Sequence, residues 1–180
     1  IEKKICTDRF RGKTEYIVIN ENCGYAKGNN LLIKRAFIKD NYDYLLISNP
    51  DIRIRDKKVL EILVHQMEID EKIGIIGPRV INFKRQQGPY LKPNPWLYGT
   101  KYLLPFIWFP FWLLREIYIK SLLGSKNVWR VIGSFMLIRA KPFIKVNGFD
   151  EGTFLYCEED LLSFKFKKEG FNTYYCSKAI

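Results

Sequence analysis

The sequence predicts an α/β fold, a mainly parallel, twisted sheet flanked by helices. Three observations predict it. Short apolar runs alternate with stretches of helical periodicity in the order β-α-β-α-β, joined by short loops. Two of those runs, 44–47 and 73–76, stop at turn residues: the first at Ser48-Asn49-Pro50-Asp51, the second at Gly77-Pro78. A length of 180 residues with a hydrophobic share of 47% suits one domain with its own core. Residues 1–180 therefore read as a single domain, with an apolar and basic insert at about 86–128.

The first element is residues 15–20 (EYIVIN), which alternate like a strand. Residues 22–30 (NCGYAKGNN) follow as a glycine-containing loop, and apolar periodicity over 31–38 predicts a helix. Gly24 and Gly28 permit close backbone approach or positive φ. A helix N-terminus behind such a loop offers free N–H groups to an anion. The loop matches neither GxGxxG nor the P-loop pattern, and taken alone it reads as a plain helix entry.

Residues 44–51 (YLLISNPD) are the stretch around which the chain is organised. The apolar run predicts a short buried strand, and Pro50 blocks further pairing. Asp51 then lies just past a strand end, on the edge where α/β sheets bind ligands. A carboxylate there can hold a divalent cation against a diphosphate. The plainer reading is that Asp51 caps a turn or the next helix. Asp56 reads as an N-cap, followed by Val59, Ile62, Leu63 and Met67 at helical spacing. Residues 73–76 predict a second buried strand.

From residue 86 the pattern breaks. Residues 103–114 (LLPFIWFPFWLL), from Leu103 to Leu114, lie between Lys101 and Arg115 and are interrupted by Pro105 and Pro110. This run is too short to span a bilayer. Trp and Phe beside Lys and Arg make the composition of a segment lying in a membrane headgroup region. A hydrophobic flap or a partner interface has the same composition. Basic and aromatic residues also bind single-stranded nucleic acid, but Leu, Ile and Pro here outnumber stacking platforms.

Residues 131–138 (VIGSFMLI) predict a strand containing Gly133 and Ser134, where a small pair suggests close approach by ligand or backbone. Glu158, Glu159 and Asp160 then open a helix over 161–169 that Gly170 stops. Acids at a helix start match the dipole. Crowded carboxylates also make a general base, because like charge raises a carboxylate pKa.

A net charge of +11 implies an acidic partner: nucleotide phosphates, anionic lipid or nucleic acid. Cys6, Cys23, Cys157 and Cys176 form no CxxC pair, which argues against a zinc or redox site and fits a reducing compartment. The lone His65 reads as a surface residue.

Five stretches in order resemble the inverting family 2 glycosyltransferases of bacterial cell-surface polysaccharide synthesis, especially the rhamnosyltransferase-like branch. They are NCGYAKGNN (22–30), LISNPD (46–51), IGIIGPRV (73–80), GSFMLIR (133–139) and FDEGTFLYCEEDLL (149–162). The resemblance implies a nucleotide-diphosphate-sugar-binding fold of the GT-A type with a mixed sheet. It implies that Asp51, in the Asn49-Pro50-Asp51 turn, holds Mg²⁺ or Mn²⁺ on the donor diphosphate. It implies donor contacts from Gly24, Gly28, Asn29, Asn30, Asn49, Gly133 and Ser134. Its Glu-Asp base motif falls on Glu158-Glu159 without gaps, or on Glu159-Asp160 with a slip of one residue. The implied acceptor is a glycan or polyprenyl-linked glycan, with cytoplasmic placement at the inner face of the membrane and no nucleic acid. The family's first strand and the following helix would lie before Ile1. With no initiator Met and an end just after Tyr174-Tyr175-Cys176, the chain is expected to be a fragment. The alternative from another class is a basic, non-catalytic membrane-surface module, a degenerate remnant.

Overall fold

The computed structural model describes residues 15, 17–82, 85–88, 90, 92, 124–154 and 156–180. The run 103–114 lies outside them, as does most of the insert. In chain order the elements are helix α1 (Gly24–Lys39), strand β1 (Tyr44–Ser48), helix α2 (Val59–Ile69) and strand β2 (Ile73–Pro78). Next come strands β3 (Val80–Asn82), β4 (Arg85–Gln87), β5 (Lys126–Val128) and β6 (Phe135–Arg139). Helix α3 (Ala140–Lys145), helix α4 (Glu158–Lys168) and strand β7 (Asn172–Cys176) complete the series.

Five strands form one sheet in the order β1-β6-β2-β7-β5, and β3 with β4 makes a separate hairpin. The sheet is mixed. β6 runs antiparallel between β1 and β2, Leu46 facing Leu137 and Ile76 facing Leu137 from the other side. β2 and β7 pair in parallel, and β5 closes the far edge antiparallel to β7. β1, β2 and β7 thus share one direction, as the alternating order predicts. Yet among the described residues only β2 with β7 is a parallel ladder, because a strand from much later in the chain separates β1 from β2. The expected mainly parallel pairing is corrected on that point.

Helices cover both faces. α1, α3 and α4 pack Ile33, Phe143, Leu162 and Phe166 on one side against Leu45, Ile75 and Ile138. α2 packs Val59, Leu63 and Met67 on the other against Ile73, Ile76 and Leu137. Leu63 and Met67 are fully buried, each stabilising the fold by roughly 1.5–3 kcal/mol. β2 has every residue buried, which explains its unbroken apolar sequence. β1 alternates, with Leu45 and Ile47 buried and Leu46 exposed, so the expected buried strand is half-buried.

Glycine in β2 has a packing reason. A Cβ on Gly74 would stand 2.4 Å from Phe166 Cδ1 and 2.9 Å from Phe171 Cβ, both in the core layer of α4 and the turn after it. Gly74→Ala is expected to cost about 1–3 kcal/mol through overpacking. The check is a urea titration with an unchanged slope. An unaltered midpoint contradicts the packing account.

Five element boundaries differ from expectation. β2 runs on through Gly77 and Pro78, paired with Tyr175 and Cys176 of β7, where those two residues are expected to end it. Residues 15 and 17–20 form no strand; Val18 is 78% exposed and has no ladder partner among the described residues. The glycine loop is instead the first turns of α1, which starts at Gly24 rather than near Leu31. Asp56 stands two residues ahead of the actual cap, Lys58, and accepts the Lys58 N–H at 2.9 Å. Gly133 and Ser134 lie in a turn before β6, not inside it. Sequence patterning does not flag α3 or the β3–β4 hairpin. His65 is exposed, as expected.

Candidate active site

The site is built on the Gly133-Ser134 turn. The sheet pairing of β1 with β6 sets Ser48 opposite Phe135, so the turn after β1 and the turn before β6 meet at one sheet edge. There the Asn49 N–H donates to the Ser134 carbonyl at 2.9 Å. From the other side, the Gly133 N–H donates to Glu159 Oε1 at 2.9 Å. One dipeptide is thereby gripped by the Asn49-Pro50-Asp51 turn and by the first turn of α4. The two acidic stretches, about a hundred residues apart in sequence, converge on it. Asp51 itself is exposed and lines a cavity of about 370 Å³ together with Ser134.

The three adjacent acids have three different surroundings. Glu158 is buried at 3% exposure, and its Oε1 has no hydrogen-bond partner among the described residues. Glu159 is half-buried and bound through one oxygen to the Gly133 amide. Asp160 is held by both oxygens: Trp129 Nε1–H donates to Oδ1 at 2.6 Å, and Arg130 Nε pairs with Oδ2 at 3.0 Å. Arg130 in turn lies over the Tyr90 ring, 3.7 Å from its centroid. Asp160 therefore anchors the loop before β6 onto α4.

The chain enters α4 through an unusual turn. Tyr156 and Cys157 both have left-handed backbones, with φ of 77° and 72°. Such conformations cost non-glycine residues of order 1–3 kcal/mol each and concentrate at functional sites. No side chain caps the helix, and the turn directs Glu158 into the interior. Acids at the N-terminal turn and Lys165, Lys167 and Lys168 in the last turn also match the helix dipole.

Tyr25 on α1 is the site residue that sequence reasoning misses. Its hydroxyl donates to the Gly133 carbonyl at 2.8 Å, so both polar groups of Gly133 are fixed. Burial pushes the phenol well above its ordinary range, and the charges of Glu159 and Glu158 push it further. Tyr25 follows Gly24, whose φ of +74° and closeness to the Phe154 carbonyl, 2.5 Å from where a Cβ would stand, bring α1 against the approach to α4. The folded state holds the Tyr25 proton more tightly than the unfolded chain does. Its contribution is present below the unfolded value near 10 and is lost as pH rises beyond it. Tyr25→Phe is expected to flatten that alkaline loss and to cost about 1 kcal/mol at neutral pH. Urea midpoints at about pH 9 and about pH 11 test it; equal alkaline slopes for both proteins refute the assignment.

Asn30 is drawn elsewhere. Its amide donates to the Phe149 carbonyl at 3.0 Å and to Glu151 Oε1 at 2.9 Å, and its Oδ1 accepts the Phe149 N–H at 2.9 Å. It clamps α1 to the turn after α3. Asn29 bonds back to the Tyr25 carbonyl within α1 at 2.9 Å. Gly28 has only an ordinary contact with Cys23 Sγ, at 3.6 Å from a built Cβ.

No family model matches the chain. Two curated proteins are similar in sequence. One is the low-salt glycan biosynthesis hexosyltransferase Agl10 of Haloferax volcanii, 28% identical over 167 residues, 89% of this chain and 48% of that protein. The other is the rhamnosyltransferase WbbL of Escherichia coli K12, 26% identical over 159 residues, 84% of this chain and 57% of that protein. Among solved structures, GalNAc-T7, crystallised with UDP, GalNAc and Mn²⁺, superposes with a TM-score of 0.66 at 12% identity, over 98% of this chain and 33% of that one. In sequence the chain is similar to these two glycosyltransferases, and it has the GT-A fold. It spans about half the length of the curated relatives it matches.

Among the described residues no group of three or more His, Cys, Asp or Glu side chains converges. Asp51 offers one carboxylate at an open cavity. Mg²⁺ is commonly held by one or two carboxylates plus substrate phosphates, so Asp51 fits an ion that arrives with a diphosphate. Among the described residues no helix is long and apolar enough to cross a membrane.

Proposed function

We propose that this chain carries the reaction centre of a metal-dependent inverting glycosyltransferase, moving a sugar from a nucleotide-diphosphate donor to a glycan or lipid-linked glycan acceptor in cell-surface polysaccharide synthesis. The observation that carries the reading is the shared grip on Gly133-Ser134, by Asn49 from the Asp51 turn and by Glu159 from α4.

In this reading Glu159 is the general base. The acceptor hydroxyl gives its proton to the Glu159 carboxylate as its oxygen bonds to the anomeric carbon. The bond from that carbon to the nucleoside diphosphate breaks, and the diphosphate takes the electron pair. Attack opposite the leaving group inverts the centre. Glu159 is favoured over Asp160 because both Asp160 oxygens are engaged with Trp129 and Arg130. It is favoured over Glu158 because Glu158 is buried. Asp51 would hold Mg²⁺ or Mn²⁺, which supplies Lewis-acid stabilisation of the departing diphosphate. Asn49, Gly133 and Ser134 border the donor, with Gly24, Gly28 and Asn29 on the α1 side, while Asn30 secures the framework. The net charge of +11 and the apolar run 103–114, flanked by Lys101 and Arg115, support peripheral contact with the inner face of the cell membrane.

The test is turnover of a panel of sugar nucleotides by the full chain with Mn²⁺ or Mg²⁺. Asp51→Ala is expected to lower turnover on the order of 10²-fold or more, and chelation to abolish it reversibly. Unchanged turnover in Asp51→Ala sinks the metal role.

A further inference from the structure

The cavity that Asp51 borders carries charge that the glycosyl transfer just described does not use. Its walls come from the segment after Asp51, the end of β2, the β3–β4 hairpin and the C-terminal Ile180. Three guanidinium groups line it, from Arg53, Arg55 and Arg79, against one side-chain carboxylate, Asp51. None of the three arginines forms an ion pair among the described residues. Arg53 and Arg55 are exposed on the same short loop, whereas Arg79 is half-buried. The Arg79 backbone is fixed by its N–H bond to the Ala179 carbonyl at 2.8 Å. Its Nε is sealed from water and has no acceptor among the described residues.

Three like charges around one hollow repel one another, and a donor left without an acceptor is costly in a folded protein. An oxyanion entering the cavity relieves both. Guanidinium forks match phosphate oxygens in geometry as well as charge. The excess of cations over Asp51 suits a multiply charged anion better than a lone carboxylate. The volume of about 370 Å³ exceeds one phosphate and leaves room for the group it is attached to. Ile54, Ile81 and Ile180, between 38% and 52% exposed, provide an apolar wall for that group.

We propose that this cavity is a binding site for a phosphate ester, with Arg53, Arg55 and Arg79 holding a diphosphate group. Two substrates of the proposed reaction bring that chemistry: the nucleoside diphosphate of the donor and a diphosphate-linked acceptor. Only the choice between them rests on the transferase reading; the anion site does not.

The experiment is calorimetric titration of the full chain with inorganic diphosphate in the presence of a chelator. Saturable binding is expected, weakened at least about tenfold in Arg79→Gln and in the double variant Arg53→Gln/Arg55→Gln, and partly restored in Arg79→Lys. The double variant lies on an exposed loop, so it remains informative if Arg79→Gln fails to fold. Asp51→Asn is expected to bind diphosphate at least as tightly as the parent, since it removes a repelling charge. Absence of saturable binding, or equal binding in the parent and the double variant, overturns the site. Parallel titrations use a nucleoside diphosphate and a short alkyl diphosphate. Selective weakening of the first in the double variant assigns the cavity to the donor; selective weakening of the second assigns it to the acceptor. Diphosphate binding that persists while Asp51→Ala leaves sugar transfer untouched supports the anion site and sinks the metal role separately.

Discussion

A Glu159→Gln variant is expected to keep its fold and to lose sugar transfer by about 10²–10⁴-fold, the usual contribution of a positioned general base. Gln keeps an oxygen to accept the Gly133 N–H, now 2.9 Å from Oε1, so the turn that carries Ser134 stays in place. What disappears is the basic lone pair for the acceptor proton. Donor binding, measured as KM for the sugar nucleotide, is expected to change little, and the loss is expected in kcat. The companion variant Asp160→Asn separates the two alignments of the acidic motif. Asp160 is tied to Trp129 and Arg130, so its replacement weakens a charge-assisted pair and lowers stability by about 1–3 kcal/mol while a larger share of the turnover survives. If Asp160→Asn is the one that abolishes turnover in a folded protein, the base is misassigned.

Gly133→Ala is expected to reproduce most of that loss from the opposite side of the bond. A Cβ at this position would stand 2.1 Å from Glu159 Oε1 and 2.8 Å from its Cδ. The obstructed atoms are the far end of a side chain, which can swing aside. The thermal midpoint is therefore expected to move little, in contrast to Gly74→Ala, where ring and backbone-proximal atoms are in the way. Turnover is expected to fall on the order of 10²-fold, because a carboxylate displaced by an ångström or more no longer meets the acceptor hydroxyl. Circular dichroism melts alongside initial rates decide it. A variant with normal rates shows that Glu159 does not need its present position.

The part of the fold that sequence revealed is the part governed by local periodicity. α2, β1, β2 and α4 all lie within a few residues of their expected positions, because each has a clear apolar period, and β1 and α4 also have a stop signal in Pro50 and Gly170. What sequence could not show is lateral order in the sheet. Nothing in residues 133–139 announces that they insert antiparallel between β1 and β2, since strand neighbours are chosen by the whole core. The 22–30 stretch misled for a different reason. Its two glycines suggest a loop, but only Gly24 has a backbone that requires glycine; Gly28 is an ordinary helical residue. At the candidate site, the acidic residues were legible as residue types. Their separation into a buried Glu158, an amide-bound Glu159 and an anchored Asp160 was not, because it depends on Gly133, Trp129 and Arg130 arriving from another part of the chain.

The placement of β6 also bears on how the molecule assembles. A nascent chain that has emerged only through β2 holds two strands whose neighbouring position is still vacant, since the segment that joins them is translated some fifty to sixty residues later. Contacts of such long sequence separation slow folding, because loop closure precedes any stabilising gain. Until Phe135–Arg139 leaves the ribosome, the edges of β1 and β2 that it pairs with have no β6 to bond to. The same strand that brings the acidic turns together is thus also the one that completes the middle of the sheet, late in the order of synthesis.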